Sequence, residues 1–110
     1  MAFKDKILAL TTIALTPTPY TDKTTGETAY IKKMTVAERE AYSNAVMSAP
    51  KGKSNATGFA HIIVDQNGNR IFSDKDIDKI NNLPEDVVLD ALLAFNKASE
   101  PTTVEQAEKN

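Results

Sequence analysis

The chain has 110 residues, of which 41% are hydrophobic and 25% are charged, with no cysteine and one histidine, His61. This composition predicts a single globular domain, and the missing cysteines exclude disulfide frameworks, thiolate metal sites and cysteine nucleophiles. The net charge of −2 argues against nucleic-acid binding, which needs concentrated basic charge. Residues 1–55 carry eight Lys and Arg against five Asp and Glu, whereas residues 56–110 carry five against ten. This uneven distribution has two interpretations. It is either chance unevenness in a solvated surface or a polarity that aligns copies of the chain head to tail.

The N-terminal segment 3–10 is predicted to form a short helix, because Phe3, Ile7 and Leu10 recur at helical spacing on one face. Pro17 and Pro19 end this helix, since each lacks an amide hydrogen.

A targeting signal is not expected at the N-terminal segment, because threonines interrupt the apolar run and prolines follow it. No run approaches the ~18 apolar residues of a membrane span, so we expect a cytoplasmic protein that does not enter a membrane.

Two short strands are predicted between Thr18 and Lys33, where β-branched and aromatic residues flank a polar turn containing Gly26. A helix is then predicted from Val36 to about Ser48. Thr35 and Glu38 stand three residues apart, as in a capping box.

The apolar, β-branched run 59–64 is predicted to be a strand, with His61 half-exposed in its middle. Residues 65–69 then predict the turn of a hairpin whose arms are 61–64 and 70–72, because Asn67 and Gly68 tolerate positive φ. Residues 65–76 also have oxygen-bearing side chains at positions that bind the ion in calcium loops. They lack, however, the glycine at position 6 and the glutamate at position 12 of an EF-hand.

Two further helices are predicted in the C-terminal half. Ser73 is expected to cap a helix from Asp74 to about Asn81, which stops at a left-handed Asn81–Asn82. Pro84 is expected to open the last helix. Four residues of that helix form one helical stripe: Val88, Ala91, Leu92 and Phe95. Three more apolar residues widen the stripe beyond what one packing partner covers: Val87, Leu89 and Leu93.

The predicted fold class is therefore α+β and mainly helical, with a short N-terminal helix, small β-hairpins and three further helices. Residues 1–98 are predicted to form one compact domain. The polar segment 99–110 is predicted to be a disordered tail.

The order of these elements resembles that of the tail assembly chaperones of long-tailed bacteriophages. The resemblance spans residues 4 to about 98. Three segments carry it: KDKILA at 4–9, MTVAER at 34–39, and VDQNGNRIFSDKDI at 64–77 followed by Leu83-Pro84. The threonine- and proline-rich stretch 16–25 departs from the smoother acidic strand of that family.

The resemblance implies a non-enzymatic protein without a cofactor or metal, which binds the phage tape measure protein and helps recruit tail tube subunits. It also implies self-association, action in the host cytoplasm and absence from the finished virion. A longer form made by translational frameshifting is common in the family.

A chaperone of apolar helices needs an exposed apolar surface, and the last helix is the candidate. We expect Leu89, Leu93 and Phe95, with Tyr42, to form the partner-binding or self-association surface. The alternative is a small regulatory or calcium-sensing binding module that uses residues 65–76.

Overall fold

The computed structural model describes residues 2–101, which form five α-helices and a three-stranded antiparallel sheet. The helices are α1 Ala2–Leu8, α2 Val36–Met47, α3 Ser54–Ile62, α4 Ile77–Ile80 and α5 Glu85–Ala98, with 3-10 turns at Ala9–Thr12 and Asp74–Asp76. The strands are β1 Thr18–Thr21, β2 Thr28–Ile31 and β3 Ile63–Val64. The predicted α+β, mainly helical class is confirmed. Within the described part of the chain, no helix combines the length and the apolarity that a membrane crossing requires.

The first hairpin forms where the sequence predicts it. Strands β1 and β2 pair antiparallel with Thr18 opposite Ile31, and β2 continues the sheet onto β3 with Ile31 opposite Ile63. The Asp22 carboxylate closes the turn by accepting hydrogen bonds from the Thr25 amide at 2.8 Å and the Thr25 hydroxyl at 2.7 Å. Local polar contacts therefore fix this turn.

Helix α3 lies at the centre of the core, packed against α2, α4 and α5. The predicted strand at 59–64 is therefore wrong, because residues 59–62 belong to α3 and only Ile63 and Val64 are extended. An apolar run without a clear period suits a strand or a helix buried on several sides, and tertiary packing selects the helix here. The buried apolar residues include Ile31, Ala56, Phe59, Ala60, Ile62, Ile63, Val64, Ile80, Val88, Ala91 and Phe95.

The predicted turn after β3 is present, but its return arm is not a strand. The Asp65 carboxylate accepts hydrogen bonds from the Asn67 amide at 2.8 Å and the Asn69 amide at 3.0 Å. Gly68 alone supplies the positive φ, at 85°. Only one bridge, between Val64 and Arg70, follows the turn, so the predicted hairpin shrinks to a tight loop.

The predicted helix starts follow local capping. Thr35 and Glu38 form the capping box of α2, and Ser73 accepts from the Lys75 amide to cap the turn that leads into α4. The left-handed stop at Asn81 is wrong, because Asn81 has φ −64° and the Asn82 and Leu83 amides donate to the carbonyls of Lys79 and Ile80. The chain turns there without a residue of positive φ. Pro84 directly precedes α5.

Residues 2–15 form an N-terminal arm outside the packed body. The arm contains α1 and the following 3-10 turn, and all of its side chains are exposed. The predicted 1–98 domain includes this arm, whereas the packing that buries side chains begins with the β1–β2 hairpin. Most of the predicted tail, residues 102–110, lies outside the described residues.

Candidate apolar interaction surface

Helix α5 divides into a buried face and an exposed face. Val88, Ala91 and Phe95 are buried and Leu92 is half-buried, so the predicted stripe does face the core. Leu89 and Leu93, one turn apart, point away from it. Two of the three residues that widen the stripe are therefore exposed on one side of the helix, whereas the third, Val87, is half-buried.

Phe95 does not contribute to that surface, because only 1% of it is exposed. Its ring packs against the half-buried Tyr42 ring with a centroid separation of 5.1 Å. The Arg39 guanidinium lies 4.8 Å from the centroid of Phe95 and 5.4 Å from that of Tyr42, as in cation–π contacts. The expectation that Phe95 belongs to the interaction surface is therefore wrong, because Phe95 is a core residue that joins α5 to Tyr42 of α2. For the half-buried Tyr42 the expectation stays a prediction.

The Tyr42 hydroxyl also reaches α3. A methyl group added at Gly58 would lie 3.1 Å from the Tyr42 hydroxyl oxygen and 3.4 Å from a Leu92 methyl. Gly58 therefore lets α2 and α5 approach α3 closely. Burial raises the pKa of Tyr42, against a smaller opposing effect of Arg39.

The exposed apolar residues of the α4–α5 corner form what we name the leucine face, defined as Leu83, Leu89 and Leu93. These side chains are 40%, 36% and 67% exposed. Leu83 and Leu89 line an open cleft of about 320 Å³ between the start of α3, the end of α4 and the start of α5. Buried Ile80 and Val88 form part of its lining. The lining is mixed, because Ser54, Asn55, Asn81 and Glu85 add polar groups to the apolar side chains. A cleft of this kind beside an exposed leucine suits an amphipathic helix.

The rim of the leucine face is acidic. Glu85 lines the cleft and Asp86 follows it in the first turn of α5, where negative charge meets the positive end of the helix dipole. Neither carboxylate forms an ion pair within residues 2–101, whereas the nearby Asp78 pairs with Lys53. The face therefore favours a partner that combines apolar and basic side chains.

The N-terminal arm is a second exposed apolar surface, which the sequence analysis identified as a helix face but not as an interaction site. Phe3 is 73% exposed. The other large apolar residues of the arm are also exposed: Ile7, Leu8, Leu10, Ile13 and Leu15. The signal that could have revealed this surface is the pair of prolines at Pro17 and Pro19, which separates the arm from the body.

In the segment 65–76, which the alternative hypothesis assigns to calcium binding, carboxylate oxygens accept hydrogen bonds from backbone amides. One oxygen of the Asp65 carboxylate accepts two backbone amides, and Asp76 accepts from the Ser73 amide at 2.8 Å. Within residues 2–101, no group of three or more His, Cys, Asp or Glu side chains is arranged to hold a metal ion.

His61 lies on α3, half-buried, beside a small cavity of about 210 Å³ that Glu38, Tyr42 and Arg70 also line. Burial lowers the pKa of His61, and the positive charge of Arg70 lowers it further. The structure thus places His61 in a helix rather than in the predicted strand.

Comparisons of the chain with protein-family models, with curated proteins and with solved structures found no significant match in any of the three.

Proposed function

We propose that this chain is a bacteriophage tail assembly chaperone, a non-catalytic protein that binds apolar helical segments of the tape measure protein. The observation that supports the proposal most directly is the leucine face, an exposed apolar surface beside an open cleft. The order of sequence elements described above, which resembles that family, supplies the identity of the partner.

The leucine face suits this task physically. A long protein with exposed apolar helices aggregates unless another surface covers them, and a helix lying in a groove is a common way to do so. Burial of one leucine contributes roughly 1.5–3 kcal/mol, so burial of three exposed leucines contributes enough for reversible binding. Reversibility matters because the chaperone leaves before the virion is complete.

The experiment is co-expression of the chain with the tape measure protein encoded in the same phage genome. We expect the wild-type chain to keep the tape measure protein in the soluble fraction and to co-purify with it. Leu93→Glu should abolish both effects, because a carboxylate replaces the most exposed leucine of the face. Met47→Glu is the matched control, since Met47 is 83% exposed and lies on α2, outside the leucine face.

Two results would contradict the proposal. One is a wild-type chain that leaves the tape measure protein insoluble. The other is a Leu93→Glu variant that retains it as well as wild type does. The proposal also includes action in the host cytoplasm and recruitment of the tail tube protein. Mass spectrometry of purified virions tests its remaining part, which is absence from the mature particle.

A further inference from the structure

The three-stranded sheet has one open edge within residues 2–101. The outer edge of β3 is covered by the loop that follows it, because the Ile71 amide donates to the Ile63 carbonyl at 3.5 Å and the Asp65 amide donates to the Asn69 carbonyl at 2.9 Å. Strand β1 lies at the other end of the strand order and pairs only with β2 among the described strands. The unpaired backbone groups of such an edge are a template for a strand of another chain.

The hydrogen-bond pattern shows which backbone groups of β1 face outwards. In an antiparallel pair of strands, residues that bond to the neighbouring strand alternate with residues that do not. The Asp22 amide donates to the Glu27 carbonyl at 2.9 Å, so Asp22 faces β2, and by alternation Tyr20 faces it too. The backbone groups of Pro19 and Thr21, at the alternate positions, therefore point away from the sheet.

The pairing of β2 with β3 gives the same assignment. Directly after β2, the Lys32 amide donates to the Ile62 carbonyl at 2.9 Å. By the same alternation, the even-numbered residues of β2 face β3 and the odd-numbered ones face β1. Ala29 is odd-numbered and lies opposite Tyr20, which agrees with a Tyr20 backbone that bonds to β2.

Proline leaves this open edge short of hydrogen-bond donors. Pro19 has no amide hydrogen, so Thr21 is the one outward residue of β1 with an N–H to donate. Pro17, two residues earlier at the next position of the same alternation, has no amide hydrogen either. A strand added to this edge would find one donor at three successive outward positions.

Pro19 contributes neither a helix stop nor core packing. The N-terminal helix and its 3-10 turn end at Thr12, well before the prolines, so they stop without Pro19. Pro19 is exposed, so its ring adds nothing to the core. The other residues of β1 are threonine and tyrosine, which favour strands, whereas proline disfavours them. What proline supplies at this position is the missing donor.

We infer that Pro19, together with Pro17, closes the open edge of the sheet to strand addition by other polypeptides. Natural sheets use proline on exposed edges in this way, because each proline removes a hydrogen bond that an incoming strand requires. Extended segments of other chains, including further copies of this one, are thereby kept off the sheet. Partners then bind through side-chain surfaces. The inference depends on the backbone of this chain alone and is independent of the proposed function.

Amide hydrogen exchange of the full wild-type chain, measured by NMR, tests the orientation of β1. We expect the Tyr20 and Asp22 amides to exchange slowly, because they bond to β2. The Thr21 amide should exchange about tenfold faster, since it lacks a partner of this kind. Equal protection of Thr21 and Tyr20 in wild type would overturn the inference, because the edge would then already be paired.

Restoring the donors tests the closure itself. The double variant Pro17→Thr and Pro19→Thr gives the edge two new amide hydrogens and better strand formers. At equal concentration, we expect it to have a higher mass than wild type by light scattering. Exchange of the Thr21 amide should slow by about tenfold, which identifies β1 as the contact. Pro19→Thr alone, which restores one donor, should show a smaller change of the same sign.

A variant with a displaced proline is the matched control. Pro19→Thr combined with Thr21→Pro moves the proline by two residues, so the outward positions still carry one donor. It should keep the mass of wild type, and so should Pro50→Thr, which removes an exposed proline outside the sheet. Matching thermal unfolding curves will show that each variant remains folded.

Two results with these variants would also overturn the inference. One is a Pro17→Thr and Pro19→Thr variant with the mass and the Thr21 exchange rate of wild type. The other is a displaced-proline variant that associates as strongly as the double threonine variant. None of these readouts involves the tape measure protein, so a negative result here leaves the proposed function standing.

Discussion

The Tyr20 hydroxyl donates a hydrogen bond of 2.8 Å to the Asp90 carboxylate, which joins strand β1 to helix α5 across 70 residues of sequence. Lys23 lies 3.4 Å from the other oxygen of the same carboxylate. These polar contacts with a single side chain add to the apolar packing of the hairpin, whose Ile31 belongs to the same core as Val88 and Phe95. This attachment places the base of the N-terminal arm beside the carboxyl end of α5.

Tyr20→Phe removes that hydrogen bond and keeps the ring. We expect the free energy of unfolding, measured by urea denaturation, to fall by about 1 kcal/mol, a typical value for a partly buried hydrogen bond. Tyr30→Phe is the matched control, because Tyr30 is also half-buried and its hydroxyl makes no hydrogen bond within the described residues. Equal losses in the two variants would argue against a specific role for the Tyr20–Asp90 contact.

The same contact predicts how stability depends on alkaline pH. Burial raises the pKa of Tyr20, and the hydrogen bond and negative charge of Asp90 raise it further. The neutral phenol is therefore favoured in the folded state, so its contribution is fully present below the unfolded-state pKa near ~10 and is lost as the pH rises above that value. We expect the unfolding free energy of wild type to decline above this pH, and that of Tyr20→Phe to decline less. Tyr42, whose pKa is also raised by burial, contributes to the remaining decline.

Gly58→Ala tests the close approach of α2 and α5 to α3. The added methyl group would lie 3.1 Å from the Tyr42 hydroxyl oxygen, so we expect a loss of about 1–3 kcal/mol in unfolding free energy. Combination with Tyr42→Phe should recover part of this loss, because the oxygen that crowds the methyl group is removed. A double variant whose loss equals the sum of the two single losses would contradict the predicted contact.

Thr35→Ala tests the capping box at the start of α2. The Thr35 hydroxyl accepts from the Glu38 amide at 3.1 Å, and Glu38 accepts from the Thr35 amide at 3.0 Å. Loss of the hydroxyl should lower the thermal midpoint by an amount that corresponds to about 1 kcal/mol. Thr16→Ala, at an exposed threonine outside the helices and strands, should leave the midpoint unchanged.

Calorimetric titration with calcium chloride tests the alternative reading of residues 65–76. We expect no binding heat at micromolar affinity, because no group of three or more His, Cys, Asp or Glu side chains within residues 2–101 is arranged to hold an ion, and one Asp65 oxygen already accepts two backbone amides. Micromolar binding that disappears in Asp65→Asn would instead favour the calcium-sensing module.

The sequence by itself determined the features that depend on neighbours within a few residues. The capping box at Thr35, the cap at Ser73, the turn at Asp65 and the first hairpin each use side chains that bond to nearby backbone. Such contacts do not depend on how the chain is arranged at long range, so residue type and spacing are enough to predict them. The inward stripe of α5 could be predicted for a related reason, because helical geometry alone sets its period.

The tertiary structure decided the features for which the local sequence suits more than one conformation or environment. Residues 59–62 suit a strand or a buried helix, and packing against α2, α4 and α5 selects the helix. The sequence grouped Phe95 with Leu93, but only packing against Tyr42 and Arg39 shows that Phe95 is core and Leu93 is surface. Burial of an apolar residue lowers the free energy wherever in the fold it occurs. Composition therefore predicts that apolar residues will be buried, but only the three-dimensional arrangement shows which of them this chain buries in its own core.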